Sequence, residues 1–213
     1  RKALNAKIKI KSSLDNLAQV FNKQSYQVSG ILDSDLQILG TYDEPQILGD
    51  MRILKGFYHD QNTALFVDNV DIYALIEENH KLILKKCKAT INDGKFVAKG
   101  YYSSDAQQFD FSLNGASTNL LRFLPISILK GSISAAGNIS GTHDKPNMDI
   151  TAKVENFYID SDNLLNRALN FKVDLSLKED MLVAHSILDG YRSKLSDIIF
   201  QSSWDDIMNF KTD

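Results

Sequence analysis

The side chains that could bind a metal or form a disulfide are few in this 213-residue chain and lie far apart. No histidine has another histidine two or four positions away, and the single cysteine, Cys87, has no partner for an internal disulfide. Zinc sites require closely spaced His and Cys ligands, so the sequence predicts no metal site. The four histidines are His59, His80, His143 and His185.

Serine and aspartate side chains could provide a nucleophile or an acid–base pair. Ser112, Ser134 and Ser140 lack the strand–turn–helix context of a nucleophile elbow, and no glycine-rich phosphate loop precedes a helix. Asp43 and Asp144 occupy the same position of two similar turns, where aspartate accepts hydrogen bonds from backbone amides. We therefore predict a non-enzymatic chain with no catalytic residues and no cofactor.

A basic run is formed by Lys85, Lys86 and Lys88. Its simplest interpretation is a solvated strand face with lysines that protect a sheet edge. Contact with lipid headgroups or an anionic membrane is the alternative. The formal net charge of −3 argues against a nucleic-acid partner, because such partners require a broad basic surface.

The elements that carry these side chains are predicted to be β-strands, because apolar residues alternate with polar ones. Successive side chains of a strand point to opposite faces, so residues two apart share a face. The alternation defines four apolar sets, which are Val70, Ile72, Ala74 and Ile76; Met148, Ile150, Ala152 and Val154; Phe171, Val173, Leu175 and Leu177; and Met181, Val183, His185 and Ile187. The predicted fold class is all-β.

Turn and bulge signals divide these strands. Asn92-Asp93-Gly94 and Lys178-Glu179-Asp180 are predicted turns, the former because Asn, Asp and Gly tolerate positive φ. The apolar residues shift from even positions (Leu82 and Leu84) to odd positions (Cys87, Ala89 and Ile91), which predicts a β-bulge near Lys85-Lys86. After Leu195 the alternation weakens, and residues 202–213 are expected to be a frayed end.

The chain also contains an internal repeat. The segment from Gly30 to Met51 recurs from Gly131, an offset of about 101 residues, so we predict two β repeat units, 1–110 and 111–213. Each unit includes one short helix. The first is capped by Ser13, and the second is ended by Pro125. The apolar positions of these helices are Leu14, Leu17, Ala18 and Phe21, and residues 118–124.

Composition and length fit a folded domain, with 43% hydrophobic and 24% charged residues. The chain begins at Arg1 and contains no apolar run of about 18 residues. We expect it to be a fragment of a longer protein, whose membrane anchor or export signal lies elsewhere.

Two copies of one motif resemble the TamB/AsmA-like family of envelope proteins. Residues 36–45 read L-Q-I-L-G-T-Y-D-E-P, and residues 137–146 read G-N-I-S-G-T-H-D-K-P. Both combine a strand that ends in Gly-Thr with a proline four residues after the threonine. The neighbouring Asn-Leu helices and Asp-Gly hairpins extend the resemblance over nearly the whole chain.

This resemblance implies an elongated β-taco, a sheet folded into an open trough with an apolar interior. It also implies a location in the periplasm of a Gram-negative bacterium, with the full-length protein anchored in the inner membrane. The expected partners are phospholipid acyl chains and an outer-membrane barrel of the TamA type. The expected function is transport of phospholipid between the two membranes, in support of outer-membrane biogenesis.

The residues expected to line the trough share the apolar parity of their strands. A closed sandwich would alternate in the same way, so plain core packing is the alternative for each of them. A second function class is a scaffold that binds nascent outer-membrane strands by β-augmentation. The predicted lining residues are Leu32, Leu36, Ile38, Met51, Ile53, Ile133, Ile139, Met148, Ile150, Val154, Val173, Leu175 and Val183.

Overall fold

The chain is built almost entirely of β-strands. A computed structural model describes residues 3–16, 26–60, 62–63, 65–121, 128–159, 168–190 and 193–203. The strands are β1 Ala3–Ser13, β2 Tyr26–Thr41, β3 Pro45–Asp60, β4 Leu65–Glu77, β5 Lys81–Ile91, β6 Gly94–Tyr102, β7 Gln107–Ser117, β8 Ile128–Leu129, β9 Ser132–Gly141, β10 Pro146–Ile159, β11 Leu169–Lys178, β12 Met181–Gly190 and β13 Ser193–Ser203.

Twelve of these strands form one open antiparallel sheet. Each strand pairs with the preceding and following strands of the chain, except that β7 pairs with β9 and the short β8 pairs with the end of β10. Within the described part of the chain, strands β1 and β13 therefore form the two edges of the sheet. The all-β prediction is confirmed. The predicted unit boundary at 110/111 falls within β7, which pairs with β6 and β9 on both sides of that point.

Helical structure is limited to short segments of the described residues. Residues 14–16 are helical, and the Ser13 hydroxyl accepts a hydrogen bond from the Asp15 amide, as expected of an N-cap. Residues 17–25, which include Leu17, Ala18 and Phe21, lie outside the described residues. The second predicted helix begins as the 3₁₀-helix Thr118–Leu121, and residues 122–127 again lie outside. A further 3₁₀ turn, Glu78–His80, connects β4 to β5.

The two Gly-Thr turns have the same geometry. They connect β2 to β3 and β9 to β10, with φ of +94° at Gly40 and +96° at Gly141. A Cβ on Gly40 would lie 2.4 Å from the Glu44 carbonyl oxygen, and one on Gly141 would lie 2.6 Å from that of Lys145. Glycine is therefore required at both positions.

Threonine closes each of these turns with its side chain. The Thr41 hydroxyl accepts a hydrogen bond from the Glu44 amide at 3.2 Å, and the Thr142 hydroxyl accepts one from the Lys145 amide at 3.1 Å. The sequence predicts that Asp43 and Asp144 accept hydrogen bonds from backbone amides of these turns. In both turns the threonine two residues earlier also accepts such a bond.

Replacing Thr41 or Thr142 by valine should lower the free energy of unfolding by about 0.5–1 kcal/mol, because one turn amide loses its protein acceptor. Thr→Ser at the same positions retains the hydroxyl and serves as the control. Urea denaturation measures both. If the Val and Ser variants unfold at the same midpoint, the hydroxyl contributes nothing to the turn.

The other turn and bulge predictions are also confirmed. Asn92 and Asp93 have φ of 44° and 72°, and Glu179 and Asp180 have φ of 51° and 65°, as in the tight turns that suit β-hairpins. The register of β5 shifts between Leu84 and Cys87, so two residues face one on β6. The frayed end predicted for residues 202–213 starts too early, since β13 includes Ser202 and Ser203. Residues 204–213 lie outside the described part.

Candidate functional site

An unbroken row of mainly apolar residues crosses the entire sheet on one face. In an antiparallel pair, directly opposed residues lie on the same face, so the register identifies the row strand by strand. The row consists of Ser12, Leu32, Ile53, Ile72, Cys87, Ala98, Phe111, Gly137, Ile150, Leu175, Ala184 and Phe200.

A second row runs parallel to it, two residues nearer the Gly-Thr turns on each strand, or three on the bulged strand β5. Its members are Ile10, Ser34, Met51, Ala74, Leu84, Gly100, Phe109, Ile139, Met148, Leu177, Leu182 and Ser202. Neither row contains a charged side chain. We call the face that carries both rows the apolar face. Neighbouring strands lie about 4.8 Å apart, so twelve strands extend it over about 50 Å.

All of the predicted lining residues except Val183 lie on the apolar face. Besides those in the two rows, Leu36 and Ile38 belong to β2, Ile133 pairs with Val154, and Val173 pairs with Ala152. Most of these side chains are half-buried, as expected of an apolar surface that is partly accessible to solvent.

Val183 is on the opposite face, so its predicted placement is wrong. It pairs with Ser176, whereas Leu182 pairs with Leu177 on the apolar face. The two-residue turn at Glu179 and Asp180 sets this register. Residues 181–184 of β12 are all apolar, and alternation cannot select a face in such a run.

Several apolar-face residues were missed from the predicted lining. Phe109 and Phe111 of β7 lie in the two rows, directly opposite Ile139 and Gly137. The signal was present, because Phe109, Phe111 and Leu113 alternate with polar residues. On β6, Phe96 and Ala98 extend the same surface towards Cys87.

One end of the apolar face is closed by a small buried cluster. Leu113, Ala116 and Ile133 have exposed fractions of 8%, 0% and 6%, and Leu120 and Leu121 of the 3₁₀-helix pack against them. Val154 also contacts this cluster. Ile133 therefore has little surface left to contact a ligand, although its strand neighbour Ile139 is only half-buried.

The opposite face, which we call the polar face, carries ion pairs between neighbouring strands, beside apolar side chains such as Val97. Lys9 lies 2.9 Å from Asp35, and Lys178 lies 3.4 Å from Asp149. Asp174 accepts hydrogen bonds from Lys172 at 2.5 Å and from Thr151 at 2.6 Å. Both bonds lower the pKa of the Asp174 carboxyl, and the bond from the Lys172 ammonium has the larger effect. Such exposed pairs contribute little stability, but they keep this face in contact with water.

The four histidines lie on different elements of the structure. His59 contacts the Phe66 ring, and His185 lies in β12 opposite Asp174. No group of three or more His, Cys, Asp or Glu residues in the described part is placed to hold a metal ion. The Ser134 hydroxyl accepts a hydrogen bond from the Gly115 amide at the β7 bulge.

Cys87 lies on the apolar face, as predicted from its position two and four residues before Ala89 and Ile91 on the same strand. Burial raises the pKa of its thiol, and the negative charge of Asp71 raises it further. A charged thiol reagent should therefore label the native protein slowly, at a rate that increases with pH to a midpoint above that of a free cysteine.

Urea should increase the labelling rate of Cys87, because unfolding exposes the thiol and removes the pKa shift. The native and denatured rates are compared at one pH. Equal rates would mean that the thiol is open to the reagent in the folded sheet.

Comparisons of the chain with protein-family models, curated proteins and solved structures found no match. None of the helices within the described residues has the length and apolar character needed to cross a membrane.

Proposed function

We propose that this chain is a non-enzymatic lipid-binding segment, whose apolar face holds phospholipid acyl chains. The two uncharged rows that cross all twelve strands carry this proposal, because they form one long apolar surface. Large contiguous apolar patches are uncommon on soluble proteins and typically mark binding sites. In this proposal the sheet curls around its apolar face as a β-taco built from two repeats.

The energetics favour an acyl chain as the ligand. Each methylene group that leaves water contributes about 0.8 kcal/mol, so binding needs apolar length rather than a specific polar contact. The row through Ile150, Leu175 and Phe111 provides this length without a charged residue. Gly137 is the one glycine of this row, and strand β10 packs closely against it, since a Cβ there would lie 2.4 Å from the Asp149 carbonyl oxygen.

The wider function follows from the family resemblance of the two Gly-Thr motifs. We propose that the chain is part of a periplasmic protein, anchored in the inner membrane of a Gram-negative bacterium, that moves phospholipid towards the outer membrane. Other parts of the protein would contact a TamA-like barrel. The segment would then support outer-membrane biogenesis by carrying lipid and not by catalysis.

A scaffold for outer-membrane protein assembly is the second candidate, and the edge strand β13 favours it. Ile198, Ile199 and Phe200 are 57%, 65% and 55% exposed, so this edge offers both backbone hydrogen-bonding groups and apolar side chains. A nascent strand could add to the sheet here by β-augmentation.

Native mass spectrometry of the purified chain distinguishes the two candidates. The lipid proposal predicts co-purified phospholipid, and displacement of a fluorescent fatty acid by added phospholipid. The scaffold predicts binding of a β-signal peptide to the lipid-free protein, and weaker binding when Ile199, which lies on the face opposite the apolar rows, is replaced by Asp. A chain that neither retains nor binds acyl lipid would contradict the lipid proposal.

A further inference from the structure

The polar face contains a strongly basic stripe on two adjacent strands. Strand β5 carries Lys81, Lys85, Lys86 and Lys88, and β6 carries Lys95 and Lys99, while neither strand contains a carboxylate. We call these six residues the lysine stripe. Such a concentration is notable in a chain whose net charge is −3.

A cavity of about 270 Å³ lies within the lysine stripe. Two paired positions of β6 and β7 flank it, Val97 with Ser112 and Lys99 with Asp110. On β5, the bulge inserts Lys85 as an extra residue beside Lys86, and Lys88 completes the wall. The bulge therefore brings more ammonium groups to this cavity than a regular strand would.

The charges around the cavity are not balanced. Lys86 forms an ion pair with Asp71 of β4, but Lys85, Lys88 and Lys99 line the cavity with exposed side chains. Asp110 is the carboxylate among the lining residues. Three exposed lysines against one aspartate give the site an excess of positive charge.

We propose that this cavity binds a phosphate group, carried by a phospholipid headgroup or by a soluble phosphate. Lysine ammonium groups form charge-assisted hydrogen bonds with phosphate oxygens, and the Ser112 hydroxyl can donate another. The lysines, Asp110 and Ser112 of this site have the parity of the polar face, and Cys87, Ala98 and Phe111 of the first apolar row lie between them and complete the lining. A headgroup bound here would belong to a membrane next to the polar face.

A second cavity on the polar face provides a matched control. It has a volume of about 190 Å³ and lies between β10, β11 and β12. Its lining includes Lys153 and Lys172, but also Glu155 and Asp189. The charges of this cavity cancel, so it should not retain an anion.

Two probes test the site. Binding of inorganic phosphate is detected by amide NMR shifts, and binding of phosphatidylglycerol vesicles is detected by co-sedimentation. Phosphatidylcholine vesicles are the neutral reference. Lys88→Gln and Lys99→Gln should each weaken binding about fivefold, the typical effect of one lysine at an anionic surface. Asp110→Asn should strengthen binding, and Lys153→Gln should leave it unchanged. Added salt should weaken binding to the vesicles.

The two probes identify the source of the phosphate. Shifts at Lys88 and Lys99 with inorganic phosphate, without vesicle binding, assign a soluble ligand. Vesicle binding that depends on these lysines assigns a headgroup. The proposal is overturned if neither probe binds, as expected for a stripe that contacts an acidic protein instead. It is also overturned if Lys153→Gln weakens binding as much as Lys88→Gln does.

Discussion

An arginine in place of Ile150 should leave the sheet folded but release acyl lipid from the apolar face. Ile150 lies between Gly137 and Leu175 in the first apolar row, and it is half-buried. The arginine stem can remain on the apolar surface while the guanidinium reaches water. Loss of contact with two or three methylene groups would cost about 2 kcal/mol, which corresponds to roughly thirtyfold weaker binding.

The control for this variant is its sequence neighbour on the polar face. Thr151 donates to Asp174, and an arginine at position 151 could pair with the same carboxylate. Thr151→Arg should therefore retain both fold and lipid. Circular dichroism reports on the fold, and native mass spectrometry reports on the lipid. An unfolded Ile150→Arg protein would mean that this position is closed core, and a folded variant with all its lipid would exclude Ile150 as a lipid contact.

Much of the fold could be predicted because local sequence patterns determine the strands and their turns. Alternation along β10 and β11 identified the apolar parity, since side chains repeat every two residues on a pleated strand. Asn92 and Asp93 identified a hairpin through their tolerance of positive φ. The reversal of parity at Lys85 identified the bulge. Each of these signals lies within about ten residues, so no knowledge of tertiary contacts is needed.

The rest depended on interactions that local patterns do not encode. Val183 was placed on the wrong face because β12 is apolar on both parities, and the turn at Glu179 sets its register. The pairing of β7 with β9 passes over the intervening strand β8, so local patterns do not determine it. The cavity beside Lys99 requires three neighbouring strands in register, so only the basic run, and not the site, was visible in the sequence.

Ile133 and Ile139 provide the last prediction, because they are the same residue type on the same strand and the same face. Ile133 belongs to the buried cluster with Leu113 and Ala116, whereas Ile139 is half-buried in the second row. Replacing Ile133 by alanine should lower the free energy of unfolding by about 2–5 kcal/mol, the range for fully buried isoleucines. Ile139→Ala should cost about half as much, since part of its side chain already contacts water.

The effects of the two substitutions on ligand binding should rank in the opposite order to their effects on stability. Ile139 faces Phe109 and Met148 on the accessible part of the apolar face, so Ile139→Ala should weaken binding of a fatty-acid probe. Ile133→Ala should retain binding at temperatures where it remains folded, because Leu120 and Leu121 already cover its site. Urea denaturation and probe titration on the two variants measure both orders. Equal losses of stability would show that the apolar face is closed along its whole length, and a greater loss of binding in Ile133→Ala would place the ligand at the clustered end.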